Sequence, residues 1–138
     1  MNTENALETV ALVQILIAIV NLFLVRILKW EADLARLPLL IYEVVQVHKW
    51  FISIIVAIFA VMTWRFRLEM ASGNNLVAVW LAACIGCFWL FRTFLQVFYY
   101  STSHWRGQTV RTLLHIACLV VYGGMSAVYL MVAWKGRL

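Results

Sequence analysis

Arg92, Gln96 and Tyr99 follow i, i+4, i+7 along one apolar run of this chain, and Arg111, His115, Cys118 and Tyr122 follow i, i+4, i+7, i+11 along the next. At 3.6 residues per turn, each set occupies one face of a helix. Two further stripes precede them: Gln14 with Asn21, and Glu43 with Gln46, Lys49 and Ser53. Ionisable groups are costly inside apolar helices, so each stripe calls for a partner or a function. If successive runs connect antiparallel, Glu43, Arg92, Gln96, Tyr99, Arg111 and His115 converge toward one end, with His104, Trp105 and Arg106 as a rim. The excess of arginine over carboxylate suits an anionic headgroup, a carboxylated ligand or an acidic residue of a partner protein. The alternative is that Glu43 only neutralises Arg92 or Arg111, the long basic side chains snorkelling to headgroups.

Two redox chemistries merit weighing. Haem b could be held axially between helices by His48 and His115. However, His48 lies about 140° around its helix from Glu43, away from the pocket face, and His48-Lys49-Trp50 resembles an interfacial anchor. Cys84-Ile85-Gly86-Cys87 is a C-x-x-C, but exchange would require a second cysteine pair, and only Cys118 remains. The plainer reading is close packing. Ala78, Ala82 and Gly86 are spaced for helix contact, extended by Ala83 and Cys87, and Gly123 with Ala127 repeats the device. No set of four ligands at structural spacing supports zinc. A phosphate loop, H-E-x-x-H and G-x-S-x-G are also missing, so no complete catalytic constellation is present.

Arg92, Tyr99 and Arg106 form R-x6-Y-x6-R. This resembles the late third-span pattern of the MAPEG superfamily of membrane glutathione transferases, which implies conjugation of an amphipathic substrate. The likeness covers those fifteen residues. The family's second-span pattern, approximately R-A-[HQ]-x-N-x-x-E, recognises glutathione. The corresponding Gln46-Val47-His48-Lys49-Trp50-Phe51-Ile52-Ser53 lacks its Arg, Asn and Glu. The family assignment is therefore not adopted.

The elements that must position these residues follow from composition. The chain has 138 residues, 65% hydrophobic and 12% charged, against roughly 45–50% and 25% in soluble domains. So small a globule cannot bury that much apolar surface, which points to lipid as solvent. Runs at about residues 6–25, 39–64, 76–100 and 109–134 each reach the roughly 20 residues needed to cross a bilayer. Without water for backbone groups, helices are expected there. Pro38 can open the second, and Ser72-Gly73-Asn74-Asn75 marks a turn before the third.

The expected fold is therefore all-α: a polytopic membrane protein with four transmembrane helices in an antiparallel bundle, one domain over residues 1–138. Eleven Lys+Arg against six Asp+Glu lie beside the apolar runs as anchors, so no nucleic-acid partner is implied. The acidic N-terminus shows no cleavable signal peptide. Both termini share a side. Seven cations (Arg26, Lys29, Arg36, Lys49, Arg92, Arg106, Arg111) against four (Arg65, Arg67, Lys135, Arg137) favour a non-cytoplasmic location for them. Omitting the helix-borne Lys49, Arg92 and Arg111 leaves four against four. The functional expectation is a non-enzymatic accessory, assembly or scaffold subunit of the plasma or a bacterial inner membrane, able to form a homo-oligomer. An anionic lipid or partner membrane protein would bind its arginine pocket. The alternative is a membrane-embedded enzyme or redox module using haem, a quinone or MAPEG-like conjugation.

Overall fold

A computed structural model describes residues 2–99 and 109–136, with the side chains of Val110 and Arg111 excepted. All regular structure among them is α-helical: α1 (Thr3–Ile27), the single turn α2 (Glu31–Leu34), α3 (Leu39–Ser72), α4 (Leu76–Phe98) and α5 (Thr109–Lys135). The four long helices are each long and apolar enough to cross a membrane. They follow the apolar runs closely, with one exception. The second run ends at Trp64, whereas α3 continues to Ser72 past a break at Phe66 (φ −106°, ψ 16°). Arg65 to Ala71 contains good helix formers, so loss of apolarity does not end the helix. No Pro or Gly marks the break. Three residues earlier the Thr63 hydroxyl donates to the Phe59 carbonyl at 2.7 Å, a back-bond that bends helices.

The termini are set by local chemistry. Asn75 caps α4, its side chain accepting from the Val77 and Ala78 amides at 3.0 and 3.3 Å. α1 ends in a Schellman arrangement in which Trp30 N–H donates to the Val25 carbonyl and Lys29 N–H to that of Arg26. Lys29 takes the left-handed conformation this requires, with φ 55°. Lysine carries a Cβ penalty there that glycine would not.

The chain divides into two compact units, one comprising Glu8–Arg65 and the other Met1–Leu7 with Phe66–Leu138. In the first, Asn21 Nδ2 donates to the Lys49 carbonyl at 3.1 Å and to Ser53 Oγ at 2.8 Å, joining α1 to α3. In the second, α4 packs on α5. The contacts descend α5 as they climb α4. Gly73 meets Gly136, Gly86 meets Leu130 and Tyr129, and Gln96 meets His115, so this pair is antiparallel. A Cβ on Gly86 would lie 2.9 Å from Leu130 Cδ2, and the Ser126 hydroxyl donates to the Gly86 carbonyl at 3.0 Å. Small residues thus let the helices approach until a side chain reaches the opposite backbone.

Part of the expected packing stripe is corrected. Ala78, Ala82 and Gly86 are buried and Ala83 is half-buried, but Cys87 and Ala127 are exposed. Cys87 is about 100° around the helix from Gly86, which turns it off the contact face. On α5 the contact at Gly86 is made by Ser126, Tyr129 and Leu130, with Gly123 only touching Thr93 Cγ2 at 3.9 Å from its ideal Cβ position.

The tightest approach joins the turn before α4 to the end of α5. Gly73 has φ 69°, and a Cβ there would lie 2.8 Å from Gly136 Cα. Gly73→Ala should therefore destabilise the purified protein by about 1–2 kcal/mol, whereas Lys29→Gly should leave it equal or more stable. Denaturant titration of the three proteins checks this, and unchanged stability of Gly73→Ala would show the close approach to be relaxed in solution.

Candidate functional site

The polar side chains of α4 and α5 come together in one line. Arg92 Nη1 donates to Gln96 Oε1 at 2.9 Å, one turn along α4. Gln96, only 5% exposed, reaches across to α5, its Nε2 2.8 Å from His115 Nδ1. The carboxamide fixes its own polarity. With Oε1 accepting from arginine, the NH2 must donate to Nδ1, which leaves the imidazole proton on Nε2. One buried amide thus links a cation on one helix to a neutral ring nitrogen on the next.

Aromatic rings hold the other end. The Arg92 guanidinium carbon lies 5.0 Å from the centroid of the Tyr122 ring, within cation–π range. Tyr122 in turn stacks on Trp89, with centroids 5.3 Å apart and planes 26° from parallel. Trp89 is 2% exposed and meets the edge of Phe88. Trp89 is not on the polar stripes of the sequence, and its role was not legible there. The spacing Trp89, Arg92, Gln96 (i, i+3, i+7) is the signal that could have found it.

Of the other expected site residues, the structure describes Tyr99 and Glu43. Tyr99 is 79% exposed at the C-cap of α4. Arg106, with His104 and Trp105, lies outside the described residues, as does the Arg111 side chain. Of the R-x6-Y-x6-R set, only Arg92 therefore belongs to the described network. Glu43 is an exposed residue of α3 in the other unit. That unit has its own polar cluster, because Lys49 Nζ donates to Gln46 Oε1 at 2.7 Å and Ser53 Oγ to the Lys49 carbonyl at 2.9 Å. Gln46, Lys49 and Ser53 of the second-span stripe are thus knitted to one another and to Asn21 on α1, and Glu43 stands apart from them. His48, the second haem-ligand candidate, is exposed. Among the described residues no group of three or more His, Cys, Asp or Glu could hold a metal ion.

Chemically, a guanidinium steadied by an amide and a ring is suited to receive an anion, since its planar fork matches carboxylate or phosphate oxygens. Among the described residues these elements define a helical fold with four long apolar helices, two of them tied by an arginine–glutamine–histidine line. No family model, curated protein or solved structure matches the chain.

The amide link predicts energetic coupling. In a double-mutant cycle of Gln96→Leu and His115→Phe, each single change strands one partner, while the double change removes both. The expected interaction energy is about 0.5–2 kcal/mol, read from denaturation of the four proteins. A value indistinguishable from zero would show that the two side chains do not act together.

Proposed function

We propose that this chain is a multi-pass membrane protein whose four long helices cross the bilayer as an antiparallel bundle, both termini on one side. In this reading it is a non-enzymatic accessory or assembly subunit that holds an anionic group at Arg92. The group comes from an anionic lipid or from a partner membrane protein. The observation that carries the reading is the fixing of Arg92 by Gln96 and Tyr122 within a helix that has no other Lys or Arg. Arginine inside an apolar helix is expensive and is found where it meets a counter-charge or serves a function. Guanidinium, carboxamide and imidazole in line position and neutralise charge, and an anion is their chemical counterpart. The formal net charge of +5 points the same way.

The membrane reading is supported by how much apolar surface the fold leaves uncovered. Leu39, Leu76, Val77, Phe98 and Trp134 are each between 68% and 76% exposed. Water would penalise that surface by roughly 25 cal/mol per Å², whereas lipid would not.

The test is retention of lipid by purified protein. Wild-type and Arg92→Gln chains are reconstituted in nanodiscs of equal phosphatidylglycerol and phosphatidylcholine, re-extracted, and the bound lipid is counted by native mass spectrometry. The wild type should enrich phosphatidylglycerol, and Arg92→Gln should reduce that enrichment about fivefold or more, the effect of a charge-assisted contact of about 1–3 kcal/mol. Arg36→Gln, which alters an exposed arginine of the connector, should have no effect. Equal enrichment in wild type and Arg92→Gln would remove lipid as the source of the anion.

A further inference from the structure

One exposed face of α3 carries a single carboxylate among side chains that are apolar except for Gln46 at its edge. At 100° per residue, Leu39, Leu40, Val47, Ile54 and Val61 lie within about 60° of Glu43 around the helix. All five are between 53% and 72% exposed, and Glu43 is exposed with them. Among the described residues Glu43 has no hydrogen-bond or ion-pair partner. The contrast with the other carboxylates is informative. Glu4 pairs with Arg67 at 3.6 Å, Glu31 pairs with Arg26 at 3.7 Å, Glu8 and Glu69 are engaged, and Asp33 sits in the short turn α2. Among described residues, Glu43 is the carboxylate of a long apolar helix left without an intramolecular counter-charge.

Placing Glu43 in water does not resolve this. Leu39 and Leu40 lie on its N-terminal side, 72% and 71% exposed, so raising the carboxylate out of lipid raises two leucines with it. Lipid tails offer no donor. A second copy related by a two-fold axis along the bilayer normal would bring Glu43 toward its own equivalent, like against like. A transmembrane helix bearing a lysine or arginine satisfies both the apolar stripe and the charge. We infer that the α3 face centred on Glu43 is the docking surface for a partner transmembrane helix carrying a basic residue about one turn inside its end. This rests on α3 crossing the bilayer, but not on the Arg92 site.

The experiment uses a designed helix as the partner. Labelled full-length protein is reconstituted in phosphatidylcholine vesicles with a labelled Leu/Ala transmembrane helix, either plain or bearing one Arg a turn from its end, and association is read by energy transfer. The Arg-bearing helix should associate about fivefold more strongly than the plain one, the range expected for a polar interhelical contact. Glu43→Gln should abolish that gain, and Arg92→Gln should preserve it. Equal association of the two helices, or a gain that survives Glu43→Gln, would overturn the inference. A chain that fails to fractionate with the vesicles would overturn the membrane reading itself. Because Glu43 is exposed, its replacement by glutamine leaves no buried group stranded, so misfolding does not confound the result.

Discussion

Everything in this molecule follows from an excess of apolar side chains over places to bury them. With 65% hydrophobic residues in 138, the chain folds all its long segments into helices and still leaves large side chains uncovered on each. A helix satisfies its own backbone, so it is the one arrangement that does not require its apolar neighbours to be shielded by other parts of the chain. In the proposed bilayer setting, the hydrophobic effect ceases to hold helix to helix, and close packing and hydrogen bonds take over. The α4–α5 contact has that character. It turns on Gly86, on a hydroxyl reaching a backbone carbonyl, and on Tyr129, which is fully buried.

The polar groups obey the same constraint from the opposite side. Because they are few, they gather in small clusters. In one unit Asn21 bridges to the Lys49 carbonyl and Ser53, and in the other Gln96 bridges Arg92 to His115. Both bridges are carboxamides. An amide carries a donor and an acceptor without charge, so it can join groups of unlike chemistry at lower desolvation cost than a carboxylate would incur. Buried polar networks of this kind specify how helices register more than they add stability.

The apolar runs in the sequence carried most of this fold. The starts of α3 and α4 coincide with Leu39 and Leu76 because Pro38 and Asn75 interrupt the runs. The end of α3 was illegible from hydropathy, since Arg65 to Ser72 mixes charged with apolar residues yet continues the helix. Within the candidate site, the Arg92–Gln96 pair was readable because i, i+4 spacing dictates it. Its meeting with His115 could be anticipated only by assuming how α4 and α5 connect. The Asn21–Ser53 bond was hidden for a related reason, because face and register are separate unknowns and periodicity supplies only the face. Small-residue spacing failed at Cys87 and Ala127. The residues were small, but their angular position put them outside the contact.

Lys29 ends α1 in a backbone conformation that glycine would adopt with less strain. A glycine there would make the same bend and carry no sign. Lysine gives the bend a positive charge, placed where the carbonyl end of the helix dipole favours one. In the proposed bundle the cations outside the helices divide four against four, so a charge that is part of a turn has particular value there as a marker of direction. It cannot drift to a neighbouring position without undoing the turn. In that reading, the geometry of one helix end stores information about which way the chain is threaded.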